Sequence, residues 1–160
     1  MITNADQIYP FGSRVYGTHS ESSDFDYVAV MRPGKLRGEP TYNNGEHHYQ
    51  VYSPEEFIAK IKNHDIQSLE CIFLPKHKLG KKNGYDWIKE FKLDKSELRE
   101  SISTTANHSW VKGKKKLIIS ADYDKHAGLK SIFHSIRILG LGIQLGTQGV
   151  IYQYSEFNWL

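Results

Sequence analysis

The chain has 160 residues, of which 39% are hydrophobic, 24% are charged and 20 are Phe, Tyr or Trp, and its formal net charge is +3. That length suits one domain, or one domain with a small helical annex, and the composition excludes a wholly disordered chain. No apolar run reaches the roughly 18–20 residues of a membrane helix, and no basic patch followed by an apolar core marks a secretory signal.

The charge is unevenly placed. Residues 1–80 carry 8 Lys and Arg against 10 Asp and Glu, whereas residues 81–160 carry 13 against 8. Such a split fits a metal-and-phosphate site closed by cationic groups, and it equally fits unevenly solvated surfaces. Cys71 is the only cysteine and cannot form an internal disulfide, so a cytoplasmic, reducing compartment is expected.

In chain order, residues 8–11 form a short apolar run that stops at Gly12-Ser13. Residues 14–18 suit one helical turn ended by Gly17. Residues 25–31 are rich in strand formers and predict a strand. Pro33-Gly34, Gly38, Pro40, Asn43, Asn44 and Gly45 predict a long loop over 33–45, followed by a second strand over 47–52. Ser53-Pro54-Glu55-Glu56 is a helix start: Ser53 caps, Pro54 suits the first helical position and Glu56 completes a capping box. A second short helix is expected over 65–73, stopping before Pro75.

The character changes after Pro75. Residues 76–84 are basic and contain glycine, as a linker does. Helices are then expected over 85–91, over 95–111 with Asp94 as cap, and over 123–145. In the last, Leu129, Ile132, Phe133, Ile136, Gly140 and Ile143 recur at helical spacing. Gly140-Leu141-Gly142 lies inside that pattern and reads as close packing, not as a dinucleotide loop. The tail over 150–160 is aromatic and either packs on the core or leads into further chain. There is no internal repeat.

The chemistry concentrates in Gly12-Ser13-Arg14-Val15-Tyr16-Gly17-Thr18 and Ser22-Ser23-Asp24-Phe25-Asp26. Side chains two apart on a strand share a face, so Asp24 and Asp26 project together. Two such carboxylates repel unless a cation sits between them, and oxygen ligands of this kind suit Mg²⁺, which takes waters and substrate phosphates as its other ligands. Gly12-Ser13 lies between a short strand and a helix start, where glycine admits a phosphate to the backbone and free N–H groups favour anions. Taken singly, a Gly-Ser pair is usually a turn and an Asp-x-Asp is usually a solvated strand end.

In this order and spacing the pieces resemble the signature of the DNA polymerase β-like nucleotidyltransferase superfamily. The string Gly-Ser-Arg-x-Tyr-Gly-Thr with Ser-Asp-x-Asp-Tyr resembles its small bacterial and phage branch. Residues 68–75 resemble that branch's Leu-Glu-x-Leu-Phe segment, and Lys130, His134 and Arg137 followed by Gly149 resemble its Lys…His…Arg helix. The resemblance implies an α/β (α+β) fold. It would be a minimal nucleotidyltransferase core with a short mixed sheet flanked by helices over 1–80, and a helical region over 81–160 closing over the nucleotide. It implies transfer of a nucleoside monophosphate from a nucleoside triphosphate, ATP among them, to a hydroxyl acceptor, with release of pyrophosphate. By resemblance Gly12 and Ser13 hold the β- and γ-phosphates, Asp24 and Asp26 hold one or two Mg²⁺ ions, for which Mn²⁺ can substitute, and Arg14 reaches a phosphate or pairs with a carboxylate.

Active members add a third carboxylate from the next strand, and here the equivalent position is His48. His48 either ligates a metal, acts as a base, or marks lost activity. Glu46 and Glu70 are the acidic alternatives, although Glu70 falls on a helix, where it is expected to order Arg14 or another cation. The stripe of Lys130, His134 and Arg137 borders the apolar face of its helix. It reads as a cationic wall toward the nucleotide or as a solvated edge. Lys112, Lys114, Lys115 and Lys116, around Gly113, read as a solvated loop, with contact to a nucleic-acid backbone as the alternative. The acceptor is a small molecule, RNA or protein. A chain of this length leaves little room for an acceptor domain, so the acceptor is small or held by a partner. The rival readings are a degenerate module that binds nucleotide or RNA without catalysis, and an interaction protein of a toxin–antitoxin pair.

Overall fold

The computed structural model describes residues 5–32, 34, 41–79, 81–82, 85–156 and 158. The chain divides into two compact units, Met1–Lys92 and Leu93–Leu160.

In the first unit the strands are β1 (Ala5–Phe11), β2 (Phe25–Met31), β3 (Thr41–Asn44), β4 (His47–Tyr52) and the two-residue β5 (Lys81–Lys82). They form one mixed sheet in the order β3-β4-β2-β1-β5. Only the β2–β4 pair is parallel; β1–β2, β3–β4 and β1–β5 are antiparallel. The helices are α1 (Ser13–Tyr16), α2 (Pro54–Lys62) and α3 (Ile66–Ile72). The capping box at the start of α2 forms as expected: Glu56 N–H donates to Ser53 Oγ, and Ser53 N–H donates to the Glu56 carboxylate. Asp65 caps α3 by accepting from Ser68 N–H at 3.1 Å.

One face of the sheet is anchored by α2. Phe57 stacks on Tyr9 at 5.9 Å and meets Trp87 edge-on at 5.4 Å. Its complete burial contributes roughly 2 kcal/mol. Trp87 lies in a single 3₁₀ turn, Trp87–Glu90, where a helix over 85–91 is expected from sequence. The packing of that turn on Phe57 puts it in the first unit. Ala5, Ile8, Ala29, Met31, Tyr49 and Val51 form a second buried cluster.

Two loop expectations in the first unit also need correction. The loop over 33–45 contains a strand, β3, because Asn44 pairs with His47 across a tight Gly45-Glu46 turn with Gly45 at φ 62°; residues 33 and 35–40 lie outside the described residues. The segment over 76–84 holds a 3₁₀ turn, Lys76–Lys78, and β5, with 80, 83 and 84 outside the described residues.

The second unit is built on α4 (Lys95–Ile118) and α5 (Lys125–Gln148). Asp94 caps α4 through Ser96 and Glu97 N–H, as expected. However, α4 continues seven residues beyond residue 111, so the lysine run is helical and not a loop. Gly113 does not break α4 because it is the contact point with α5: a Cβ there would lie 2.7 Å from Ile132 Cδ1 and 3.0 Å from the Gly128 carbonyl. A Cβ on Gly142 would lie 2.9 Å from Ile102, so close packing accounts for that glycine too. The tail turns back on α5, where the Gln144 side chain donates to Gln153 O and accepts from Tyr152 and Gln153 N–H. Ile151 and Tyr154 are buried; Trp159 and Leu160 lie outside the described residues. Among the described residues no helix is long and apolar enough to cross a membrane.

Two measurements check this packing. Gly113→Val forces α4 from α5 and is expected to lower unfolding stability by about 2 kcal/mol, read from urea denaturation. Cys71 is 1% exposed, and burial, followed by the nearby Glu70 and Asp65, pushes its thiol well above the ordinary cysteine value. A disulfide thiol reagent at neutral pH is therefore expected to leave the native protein unlabelled and to react fully only after denaturation.

Candidate active site

Strand β1 ends where the chain turns sharply. Gly12 adopts φ 72° and ψ −147° there, a conformation that residues with a Cβ rarely reach. Its carbonyl accepts from Val15 N–H at 3.0 Å and Tyr16 N–H at 3.2 Å, which starts α1, and Gly17 at φ 76° ends α1 after one turn. A Cβ on Gly12 would also lie 3.0 Å from Asp26 Oδ2, so space and dihedral both demand glycine. The N–H groups of Ser13 and Arg14 fall in the first turn and have no acceptor within so short a helix.

The sheet register gathers the remaining groups. Phe11 pairs with Asp26, Asp26 with His48, and His48 with Asn43. Paired residues project to the same face, so these four form a row across four strands. Asp24 precedes β2 and falls on the same side as Asp26. His48 Nδ1 lies 3.9 Å from Asp24 Oδ2 and 3.7 Å from Asp26 Oδ1. The three side chains are about half exposed, and among the described residues neither carboxylate pairs with a lysine or arginine.

Arg14 binds backbone carbonyls and a ring, and among the described residues it is not paired with a carboxylate. Its Nη2 donates to Ser23 O at 2.7 Å and its Nε to Asp24 O at 3.3 Å, while its guanidinium sits 3.5 Å over the Phe25 ring. It therefore holds the backbone that carries the carboxylates. Glu70 is buried in α3 and accepts from the Tyr16 hydroxyl at 2.6 Å, tying α3 to α1. Glu46 lies in the β3–β4 turn with its side chain exposed; its carbonyl oxygen accepts from Phe25 N–H at 2.8 Å. Of the three candidates for the third position, His48 is the one whose side chain lies within 4 Å of both carboxylates.

A cleft of about 410 Å³ opens beside this row, lined by Phe11, Asp26, Thr41, Asn43, His48 and Gln50 among others. Thr41 and Asn43 escaped the sequence reading because β3 was read as loop. Asn44-Gly45 ahead of a strand is the hairpin signal that would have found them.

In the second unit, Lys130, His134 and Arg137 share one side of α5 but differ in environment. Lys130 is exposed, His134 is half-buried, and Arg137 is 9% exposed and donates to Asn158 Oδ1 at 3.3 Å. Burial first, then the charges of Arg137, Lys112 and Lys130, hold the His134 imidazole below its ordinary value of 6.5. His134 is thus neutral at pH 7, and the positive charge of the stripe comes from Lys130 and Arg137. Of the lysine run, Lys115 pairs with Asp122 at 2.8 Å.

The family model of the nucleotidyltransferase domain matches residues 4–99 of the chain. No curated protein matches it.

The His134 environment has a pH signature. Because the folded imidazole binds a proton less readily than the unfolded one, stability is fully present above pH 6.5 and is lost as pH falls through the depressed folded value. Between about pH 7.5 and about pH 5.5 the urea midpoint of the wild type is expected to fall, and His134→Gln is expected to flatten that slope. Equal slopes would contradict this environment.

Proposed function

The chain belongs to the nucleotidyltransferase domain family, and from that premise we propose that it moves a nucleoside monophosphate from a nucleoside triphosphate to a hydroxyl acceptor, releasing pyrophosphate. The observation that carries this reading is the row in which Asp26 has Gly12 on one side and His48 on the other, with Asp24 converging on the same imidazole.

The donors fit a divalent ion. Two ligands of one ion, each bound at about 2.1 Å, lie at most about 4 Å apart. The separations from His48 Nδ1 to the two carboxylates, 3.7 and 3.9 Å, are within that limit. Among the described residues no group of three or more His, Cys, Asp or Glu side chains is placed to hold a metal ion, so the protein side chains alone would not complete the ligands of an ion on this carboxylate pair. An open site is what Mg²⁺ prefers, since it keeps waters and substrate phosphates as ligands. An imidazole in the set favours a transition ion such as Mn²⁺ over Mg²⁺. When bound, the ion supplies positive charge to the α-phosphate oxygens and acidifies the attacking hydroxyl.

The chain's own groups then have separate tasks. The N–H groups of Ser13 and Arg14, with the Ser13 hydroxyl, orient the β- and γ-phosphates against the open backbone of Gly12. Asp24 and Asp26 hold the ion. His48 completes its ligands or receives the proton of the acceptor. Arg14 keeps the carbonyls of Ser23 and Asp24 in place and so fixes the carboxylates. The roles of Lys130, His134 and Arg137 in binding nucleotide rest on the motif alone. An imidazole where a third carboxylate is usual favours a second reading, nucleotide binding without turnover.

Calorimetry of ATP, GTP, CTP and UTP with Mg²⁺ or Mn²⁺ tests the proposal. Metal-dependent binding of at least one nucleotide is expected for the wild type, and loss of it for Asp24→Asn/Asp26→Asn. Binding is expected to be tighter with Mn²⁺, and His48→Ala is expected to remove that preference. Binding that survives in the double variant would overturn the site assignment. Label transfer from α-³²P nucleotides that disappears in the same variant would exclude the reading without turnover.

A further inference from the structure

We infer that Tyr16 and Glu70 are a pair of positioning residues. Their buried bond sets the turn at Gly12-Ser13, and with it the affinity for the β- and γ-phosphates, separately from the carboxylates that take the metal. The inference rests on the transfer reading above and adds which residues outside the Asp26 row govern phosphate binding.

Helix α1 cannot hold its own shape. It has a single turn, and the first turn of a helix fixes several dihedrals for one hydrogen bond. The residue before it, Gly12, has the largest backbone freedom to lose. A constraint from outside must fix both, and Tyr16 is where it enters. The Tyr16 ring is buried and meets Phe11 edge-on at 6.4 Å. Its hydroxyl donates to Glu70 Oε1 at 2.6 Å, the length of a bond to a carboxylate. Glu70 lies 54 residues along the chain, on α3, between the buried Leu69 and Cys71. Asp65 caps that helix by accepting from Ser68 N–H at 3.1 Å and from the Ser68 hydroxyl at 2.8 Å. The acceptor of the Tyr16 hydroxyl is therefore fixed in the scaffold before α1 is placed on it.

From Tyr16 the constraint passes to the phosphate side. Val15 N–H and Tyr16 N–H both donate to Gly12 O, so the Gly12 peptide follows the tyrosine. Ser13, between them, carries the hydroxyl and the first N–H that the transfer reading gives to the phosphates. The carboxylates are held by other means. Asp26 lies within β2, paired with Phe11 and His48. The entry to β2 is held by Phe25 N–H donating to Glu46 O at 2.8 Å and by Arg14 on the carbonyls of Ser23 and Asp24. Arg14 starts from α1, but its carbonyl and ring contacts all lie at that entry. Loss of the Tyr16 hydroxyl thus loosens the phosphate side and leaves the metal side in register. A bond that contributed stability alone would act differently. It would lower the urea midpoint without changing the affinity of the folded molecules, which remain nearly the whole population.

The test uses two probes on the ¹⁵N-labelled full chain. Inorganic tripolyphosphate with Mg²⁺ is read by calorimetry, and Mn²⁺ alone by its paramagnetic broadening of the Asp24 and Asp26 amide signals. Tyr16→Phe keeps the buried ring and its contact with Phe11 and deletes only the hydroxyl. It is expected to weaken tripolyphosphate about tenfold, as loss of a bond to a charged group does, and to leave the Mn²⁺ broadening unchanged. Glu70→Gln keeps an acceptor that is neutral and about half as strong, and is expected to weaken tripolyphosphate about threefold. Tripolyphosphate affinity retained in both variants beside a lower urea midpoint would reduce the pair to a structural role and overturn the inference. Equal weakening of both probes would overturn it too. Should Tyr16→Phe not fold, Glu70→Gln decides by the same criterion. A wild type that binds no tripolyphosphate strikes the transfer reading together with this inference, whereas affinity retained in the variants strikes the inference alone.

Discussion

The candidate site depends on one pairing, that of Asp26 between Phe11 and His48. The antiparallel partner puts the end of β1 beside the carboxylate, so the chain must leave the sheet there through a residue without a Cβ. The parallel partner puts an imidazole on its other side. A slip of one residue would carry Asp26 to the opposite face and dismantle both arrangements. The register is held from that opposite face by stacked rings: Phe25 on His47 and Tyr27 on Tyr49, each at 4.8 Å, bridge β2 and β4 at consecutive same-face positions. Further along, the buried Val28, Ala29, Val30 and Met31 fix β2 in the sheet. The apolar and aromatic residues are thus what keep two half-exposed carboxylates side by side.

Like charges held together need support that does not neutralise them. Arg14 provides it by binding two backbone carbonyls and the face of Phe25 rather than a carboxylate. A lysine could not cover both carbonyls and the ring at once, because only the planar guanidinium offers several fixed donors together with a stacking surface. Glu70 acts similarly at a distance. Buried and bonded to Tyr16, it joins α3 to the short helix that follows Gly12, and its carboxylate serves the scaffold. The negative potential at the sheet end therefore remains that of Asp24 and Asp26.

The first unit was largely legible because its signals are local. The Ser53 cap, the strand over 25–31 and the Gly12–Asp26 motif each depend on a few adjacent residues, as does the Asp94 cap in the second unit. The misreadings share a different cause. Gly113 amid four lysines reads as a loop by composition, yet Gly128 and Ile132 on another helix require a glycine there. Thr41-Tyr42-Asn43-Asn44 has too little apolar character to announce a strand. It becomes one by pairing along β4, at the edge of the sheet, where all four side chains remain exposed. In both cases the deciding partner is distant in sequence. The acceptors of Arg14 are carbonyl oxygens, which no side-chain pattern encodes.

The charge asymmetry also takes on a more specific meaning. The excess of positive charge over 81–160 does not form a uniform phosphate-binding surface. Lys115 is paired with Asp122, Arg137 is buried against Asn158, and His134 is kept neutral by burial and by the cations around it. Burial and the neighbouring cations together make the His134 imidazole hold its proton less readily, which eases the repulsion within the cluster. Carboxylates half exposed at a sheet end can recruit a cation from solution, whereas a half-buried imidazole among cations relaxes by deprotonation. Burial, more than net charge, separates a pair of groups open to a ligand from a cluster that has adjusted internally.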